Sequence, residues 1–361
     1  MKDLVLKLRM QRVMRLQGYA CPVEVELSDY EYDESRRSLK RTALTDIDVL
    51  GIRFEPDLRQ QVAIADCKSG KESESNRLFW IRGVMDFFGA DSGTLVKTRV
   101  RGQAKALAPK LGVRVLDEPG LAVLEQGLGV QESLPASAEA NYRRLQALWG
   151  IEVPAGRRPT QEQLEKKKAY HYLQYLYWML DEYRNTQSVL EHMRAISSRL
   201  DAADERDAYL CFVALQRLTL SVLRVASEVL TRGGTDVMGC SKSYLFGGPV
   251  ALRERKQIIE MLNEVRRSAM LVSDDVQLEP AYFDELVEIV NKTVGHSGSA
   301  CKMLLHAEAA TLHLFAGAED LETQLGSHFS LDALVLLKRL AKLLQVHAGL
   351  HADVFRGLHE M

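Results

Sequence analysis

The chain is poor in cysteine and has no long apolar runs. Its 361 residues include only five cysteines, which are scattered without paired spacing. This pattern excludes a disulfide framework and a cysteine-based zinc site, and it is typical of a protein in the reducing cytoplasm. No apolar run has the roughly 20 residues of a transmembrane helix, and the opening sequence MKDLVLKLR is too polar for a signal peptide. We therefore expect a cytoplasmic protein without a membrane segment.

The chain also lacks a strong charge of either sign. It contains 47 Lys and Arg against 49 Asp and Glu, and 46% of its residues are hydrophobic. These values indicate a soluble globular protein. A chain of this length exceeds what one hydrophobic core usually serves, so two domains are expected.

Two strand-like segments near the N-terminus carry acids at a spacing that suits catalysis. Residues 43–54 and 61–68 are apolar and rich in β-formers, and the sequence EPD supplies a turn between them. Side chains alternate along a strand, so Asp66 and Lys68 share one face. If the hairpin places Asp48 beside Asp66, two carboxylates and one ammonium group meet above the sheet.

Such a pair of carboxylates is costly unless a proton or a cation lies between them. Two carboxylates about 4 Å apart repel by roughly 4 kcal/mol at an effective dielectric near 20. Oxygen ligands favour Mg²⁺ or Mn²⁺. An ion held by Asp48 and Asp66 would polarise a phosphate, and Lys68 would orient a water or neutralise charge on phosphorus. The expected reaction is hydrolysis of a phosphodiester bond.

The tripeptide Asp66-Cys67-Lys68 alone is weak evidence. The same kind of pattern occurs by chance in the helical run EKK at residues 165–167. The setting of strand, turn and strand, with an acid on the first strand, is what favours catalysis over charges that merely face solvent at the end of a strand.

In motif and in order of elements, residues 1–130 resemble the PD-(D/E)XK, or restriction endonuclease-like, nuclease superfamily. The resemblance implies an α/β domain with a mixed sheet flanked by helices. It also implies a metal-dependent endonuclease that acts on nucleic acid, with DNA expected, in prokaryotic restriction or anti-phage defence. Besides the hairpin, the matching elements are a helix at 3–17, a strand at 19–27, a helix at 75–88, a strand at 93–100, a helix at 103–111 and a strand at 113–117.

The resemblance also implies roles for individual residues. The acid of the first motif strand falls on Asp48, and the acid and lysine of the second fall on Asp66 and Lys68. Asp48 and Asp66 are then metal ligands, and Asp46, on the same face, is a further or alternative ligand. Many members carry a Glu in the first helix, but the only acid of that helix here is Asp3. Either Asp3 substitutes or this ligand is missing, which leaves the number of metal ions open.

Three basic residues after the second motif strand are candidate substrate contacts. Lys71 follows the strand, and Arg77 and Arg82 lie in the next predicted helix. Such residues can neutralise phosphates of nucleic acid and give salt-dependent binding. A solvated surface is the alternative reading.

From residue 131 onwards the strand pattern disappears. Residues 131–158 are expected to form a linker, and residues 159–361 an all-helical domain that begins at the capping-box sequence PTQEQ. We expect this domain to dimerise or to bind a protein partner. Helical runs are predicted over residues 160–200, 205–230, 252–272, 281–294, 300–315 and 330–358.

Histidine pairs in this region do not indicate a metal site. His347 and His351 are one helical turn apart, and His306 and His313 are two turns apart. Metal binding would need further ligands that the sequence does not offer, so these histidines are expected in the core or on the surface.

Two alternatives to a DNA nuclease remain open from the sequence. The missing first-helix Glu and the only modest positive charge of residues 1–130 favour a protein that keeps the nuclease fold without activity and acts through its helices. The same motif also suits cleavage of RNA, although no RNA-binding motif is present.

Overall fold

The structure, a computed structural model, describes residues 2–33, 38–130, 133–150, 160–268 and 275–361. Its N-terminal part is built around one five-stranded sheet. The elements in chain order are α1 (Lys2–Leu16), β1 (Val23–Asp33), β2 (Ser38–Phe54), β3 (Gln60–Lys68), α2 (Glu74–Phe88), β4 (Ser92–Lys97), α3 (Gly102–Leu107), a 3₁₀ turn (Ala108–Leu111), β5 (Val113–Asp117), α4 (Glu118–Gly127) and α5 (Ala136–Leu148).

The strands lie in the sheet in the order in which they occur in the chain. β1, β2 and β3 pair antiparallel, whereas β4 and β5 join parallel to β3 and β4. α2 and α3 cover one face of the sheet, and α1 and α4 cover the other. A mixed sheet flanked by helices was predicted, and at this level the α/β fold class of the N-terminal part is confirmed.

The alternation along β3 divides the interior into two cores. Val62 and Ile64 belong to the core beneath α2, whereas Ala63, Ala65 and Cys67 belong to the core beneath α1. Because side chains alternate across a strand, Asp66 and Lys68 continue the α2 face, as predicted. The small residues on the other face allow α1 to lie close to the sheet.

Local signals explain most boundaries in this part. Ser73 accepts the N–H of Asn76 and begins α2, and Gly89 ends it in the left-handed conformation with φ 70°. Several boundaries were predicted wrongly. β1 begins four residues later and ends six residues later than expected, β2 begins at Ser38, and β4 ends three residues earlier than expected. α4 was not predicted; Asp117 caps it by accepting the N–H of Gly120 directly after β5.

The rest of the described chain is helical. This confirms the predicted helical character of the C-terminal part. Its elements are α6 (Gln161–His171), a π-helical turn (Tyr172–Leu176), α7 (Tyr177–Met179), α8 (Asn185–Ile196), α9 (Glu205–Thr231), α10 (Val237–Leu245), α11 (Pro249–Ser268), α12 (Phe283–Gly295), α13 (Ser297–Ala300), α14 (Met303–Ala316), α15 (Leu321–Leu325), α16 (Leu331–Ala348) and α17 (Arg356–Glu360), with 3₁₀ turns at Glu182–Arg184, Ser197–Arg199, Gly326–His328 and Ala352–Phe355.

Several predicted helical runs differ from the observed helices. The run over 160–200 is interrupted by the π-helical turn and by the extended residue Leu180. The run over 330–358 breaks at Gly349, whose φ is 68°. A helix, α5, occupies the middle of the stretch 131–158 that was predicted to be a linker. Residues 131–132 and 151–158 of that stretch, Pro159 at the predicted start of the helical domain, and 269–272 of the run over 252–272 lie outside the described residues.

The sheet and the helices share one hydrophobic core. Buried residues of β1 and β2 belong to the same cluster as those of α9 and α16. Arg224 of α9 donates to Gln60 of β3 at 2.9 Å, and Phe88 of α2 packs against Trp178, with 6.3 Å between ring centroids. Within the described residues, α9 alone is long and apolar enough to span a membrane, but 83% of its most apolar window is buried inside the protein. It is the central helix of the packed core.

An ion pair joins α1 to α14 across this shared core. Glu308 accepts from Arg15 Nη2 at 2.9 Å and from the backbone N–H of Cys21 at 3.1 Å, and its side chain is 12% exposed. Glu308→Ala leaves Arg15 without its carboxylate, so we expect the free energy of unfolding to fall by about 2 kcal/mol in urea denaturation. The control Glu139→Ala, which removes the half-buried partner of the exposed Arg143, should cost less than about 1 kcal/mol. Equal losses would contradict this account of the interface.

His306 is a core histidine, as one of the two readings predicted, and it should make stability depend on pH. It is fully buried, and its Nε2 accepts the N–H of Ser330 at 3.0 Å, so the proton lies on Nδ1, which faces the carbonyl of Lys302. Burial lowers the pKa of His306. As pH falls, this histidine is protonated in the unfolded chain before it is protonated in the folded protein. The contribution of the neutral His306 to the free energy of unfolding is complete above about pH 6.5 and is lost as pH falls through the folded-state pKa. Denaturation at several pH values should show a smaller acid loss in His306→Gln than in the parent; identical profiles would contradict the prediction.

Candidate active site at the end of the central hairpin

Asp48, Asp66 and Lys68 come together where β2 and β3 separate. The last backbone pair of the hairpin is Val49 with Ala65, next to the two acids, and the same register continued would place Asp48 opposite Asp66. The ladder stops there because Asp48 Oδ2 accepts the backbone N–H of Cys67 at 2.7 Å. Lys68 Nζ lies 3.2 Å from Asp48 Oδ2 and 3.7 Å from Asp66 Oδ1. The three residues predicted as catalytic thus form one cluster.

Both carboxylates of this cluster are almost completely buried. Asp48 is 1% exposed and Asp66 is 2% exposed. Buried carboxylates need cations or hydrogen bonds to offset their lost hydration. Burial raises the pKa of Asp66 above its ordinary value, and the hydrogen bond and charge of Arg77 only partly oppose this effect. A cation at this position is therefore favourable.

The cluster is the centre of a longer alternating row of charges, the ionic row. Lys7 Nζ lies 2.8 Å from both Glu24 Oε1 and Asp48 Oδ1. At the other end, Arg77 Nε donates to Asp66 Oδ2 at 2.8 Å, and the same Nε lies 3.7 Å from Glu72 Oε2. The ionic row consists of Glu24, Lys7, Asp48, Lys68, Asp66, Arg77 and Glu72. Each cation lies between two carboxylates.

Lys7 is a site residue that the sequence did not predict. It projects from α1 and is only 8% exposed. Although burial disfavours its charged form, hydrogen bonds to Asp48 and Glu24 outweigh that effect and raise the pKa of Lys7. The first helix thus contributes a cation where an acid was expected. The one signal in the sequence was a lysine between two leucines, Leu6 and Leu8, both of which are buried.

Glu24 also joins the site without having been predicted. It follows Val23, which pairs with Val49, and so lies opposite Asp48 in the register of β1 and β2. Its φ of 57° is in the left-handed region, which is uncommon for residues other than glycine. Its carboxylate accepts hydrogen bonds from Lys7 and Tyr142, which outweigh burial and lower the pKa of Glu24. Strained backbone of this kind is frequent at functional sites.

The two acids proposed as additional ligands lie outside the ionic row. Asp46 is exposed and pairs with Glu26 in the register of β1 and β2. Asp3 accepts the backbone N–H of Ser69 at 2.5 Å, and this contact lowers the pKa of Asp3. Asp3 therefore fixes the chain directly after Lys68. Within the described residues, neither acid contacts the carboxylates of Asp48 and Asp66.

The structure separates the three basic residues that were predicted to contact substrate. Arg77 lies in the ionic row, with its guanidinium 4.0 Å from the centre of the Trp80 ring. Lys71 is exposed in the turn after β3. Arg82 is exposed and pairs with Asp86 on α2. Only Arg77 is therefore part of the cluster itself.

Further basic residues lie along the same edge of the sheet. Lys68 ends β3 directly beside Lys97, which ends the parallel strand β4. Lys97 is buried and donates to the carbonyl of Glu72 at 2.9 Å, while Arg99 and Arg101 are exposed just beyond β4. Parallel strands end at a common edge, where ligands of open α/β sheets usually bind. This basic edge suits an anionic substrate.

The carboxylates match the donors that a hard divalent cation prefers. Mg²⁺ is commonly held by one or two carboxylates, with waters and phosphate oxygens completing its coordination. Within the described residues there is no group of three or more His, Cys, Asp or Glu side chains arranged to hold a metal ion. The oxygens of Asp48 and Asp66 already contact Lys7, Lys68, Arg77 or a backbone N–H. The donors thus fit one ion, which would compete with these cations.

Comparisons of the chain with family models, with curated proteins and with solved structures found no match. A functional proposal therefore rests on the geometry of the site and on the sequence motif.

Proposed function

We propose that the protein is a metal-dependent endonuclease of the PD-(D/E)XK type that hydrolyses phosphodiester bonds, with DNA as the expected substrate. The observation that carries this proposal is the cluster of Asp48, Asp66 and Lys68 at a basic edge of a mixed sheet. The order of helices and strands supports a restriction endonuclease-like fold for residues 1–130. The resemblance implies a role in prokaryotic restriction or anti-phage defence, and the unpaired cysteines favour the cytoplasm; the helices of 159–361 would serve dimerisation or partner binding.

The residues of the cluster have distinct roles in this proposal. Asp48 and Asp66 would hold one Mg²⁺ or Mn²⁺. When bound, such an ion polarises a phosphate oxygen and lowers the pKa of a coordinated water. Lys68 would neutralise the charge that develops on the phosphate in the transition state. Arg77, once released from Asp66, would bind a phosphate oxygen pair through its planar guanidinium.

The proposal is tested by cleavage of labelled DNA and RNA, each single- and double-stranded, with Mg²⁺ and after its removal by EDTA. Cleavage that requires the ion is expected, and the nucleic acid that is cut fastest identifies the substrate. Lys68→Met should lower the rate by about 10²–10³-fold, because it removes one group that stabilises transition-state charge. The control Lys110→Met, at an exposed position outside the site, should cut normally. Equal rates for both variants would contradict the assigned role of Lys68.

One observation favours a second function, a regulatory protein that keeps this fold without cleavage. Each cation of the ionic row lies between two carboxylates, so the row is held together without a metal ion. Calorimetry with Mn²⁺ separates the two functions. The nuclease requires binding that Asp48→Ala removes, whereas a purely structural row predicts no specific binding in either protein.

A further inference from the structure

A cavity of about 240 Å³ lies between the sheet and the helices. Its volume is just below the range of about 300–1,000 Å³ that is usual for small-molecule sites, so it suits one small ligand. Aromatic rings and side-chain amides form much of its wall. The lining residues that matter here are Arg15, Tyr142, Trp149, Gln174, Trp178 and Arg217.

One arginine on the wall of this cavity lacks a partner of opposite charge. The charged residues that line the cavity are Arg15, Glu24, Glu308 and Arg217. Arg15 pairs with Glu308, and Glu24 pairs with Lys7. Within the described part of the chain, no carboxylate lies within ion-pair distance of Arg217. The cavity therefore has an uncompensated positive charge.

Arg217 is held in place by uncharged groups. Its Nε donates to the carbonyl of Leu173 at 3.2 Å, and its guanidinium lies 4.3 Å from the centre of the Trp178 ring. Burial lowers the pKa of Arg217 to about 10, whereas Glu308 outweighs burial and raises that of Arg15. The Nη atoms of Arg217 have no hydrogen-bond partner among the described residues, and they are not among the fully buried polar atoms. They are available to an anion.

The π-helical turn at Tyr172–Leu176 contributes one residue, Gln174, to the adjoining wall. It provides the Leu173 carbonyl that orients Arg217, and it presents the side-chain amide of Gln174, which has no hydrogen-bond partner among the described residues. Single π-helical turns are rare in proteins, and many of those that occur lie at functional sites. The unusual backbone and the unpaired arginine thus occur at the same place.

We propose that this cavity binds a nucleoside monophosphate. Arg217 binds the phosphate, since a guanidinium matches the geometry of phosphate oxygens. The base lies against Trp149, and its polar edge contacts the amide of Gln174, which can both donate and accept hydrogen bonds. This ligand supplies the negative charge, the planar ring and the polar edge that the wall accommodates. The proposal does not depend on nuclease activity.

Binding can be measured by calorimetry and tryptophan fluorescence with the common ribonucleoside monophosphates, and with inorganic phosphate and the corresponding nucleosides as separate probes. At least one monophosphate should bind more tightly than phosphate or its own nucleoside. Arg217→Gln should weaken binding about tenfold or more, because it removes a charged hydrogen-bond donor. The matched control is Arg184→Gln, which removes an exposed arginine that lies over the Tyr183 ring; it should bind normally.

Two outcomes would overturn the proposal. One is the absence of binding for every monophosphate at about 1 mM, the weak end of specific affinity. The other is unchanged binding in folded Arg217→Gln, with folding verified by circular dichroism. If that variant does not fold, Gln174→Leu decides instead. It should weaken binding roughly three- to tenfold, and unchanged affinity would contradict the proposed site.

Discussion

Replacement of Asp66 by asparagine is expected to lower Mg²⁺-dependent cleavage by at least about 10³-fold. The substitution removes a charged oxygen donor from a site with two carboxylates, and a catalytic metal ion contributes several kcal/mol of transition-state stabilisation. The measurement is the rate of cleavage at saturating Mg²⁺ on the preferred nucleic acid. The matched control is Asp86→Asn, which alters the exposed partner of Arg82 on α2 and should leave the rate unchanged.

The same substitution should change the free energy of unfolding by no more than about 1 kcal/mol. Burial raises the pKa of Asp66, so ionising this carboxyl group costs more in the folded protein than in the unfolded chain, and asparagine removes that cost. Against this gain, Arg77 loses one partner but retains Glu72 and the Trp80 ring. A large loss of activity with little loss of stability would separate catalysis from folding. Full activity in folded Asp66→Asn would contradict the assigned role.

Lys7→Met is expected to destabilise the protein more than Asp66→Asn does, with a loss of about 3 kcal/mol in the free energy of unfolding. The lysine is the contact that Asp48 and Glu24 share, and removing one partner of a buried ion pair leaves the other charge uncompensated. Urea denaturation at neutral pH measures the loss. Lys105→Met, which removes the exposed partner of Asp117, should cost less than about 1 kcal/mol.

The pH dependence gives a second check on Lys7. Hydrogen bonds to Asp48 and Glu24 raise the pKa of Lys7, so its stabilisation is complete below the ordinary lysine value of about 10.4 and is lost only as pH rises through the higher folded-state pKa. The difference between the parent and Lys7→Met should therefore be constant from about pH 6 to pH 9. Added Mn²⁺ should recover part of the loss, because the vacated place lies between two carboxylates. Equal stabilities of the two proteins would refute the ionic row as a structural element.

The central hairpin could be predicted from the sequence because the signals that specify it lie within a short stretch of the chain. The run of alternating residues around Asp66 and Lys68 determines which side chains share a face, and a short turn fixes the pairing that brings Asp48 beside them. The element order of the first 130 residues follows from similar local signals, such as the serine cap and glycine end of α2.

Lys7 and Glu24 could not be predicted in the same way. Each reaches the cluster through tertiary contacts, Lys7 because α1 packs on the sheet and Glu24 because β1 pairs with β2. The family pattern also directed attention to an acid in the first helix, where the chain has a lysine. Helical periodicity likewise did not reveal the π-helical turn, because tertiary packing determines where a helix is underwound or broken.

The most direct measurement is a crystal structure of the protein with Mn²⁺, in which anomalous scattering locates the ion. The proposal predicts one Mn²⁺ bound to oxygens of both Asp48 and Asp66, with Arg77 withdrawn from Asp66 and Lys7 still between Asp48 and Glu24. A structure obtained at saturating Mn²⁺ that shows no ion between Asp48 and Asp66, with Arg77 still paired to Asp66, would contradict a metal-dependent nuclease.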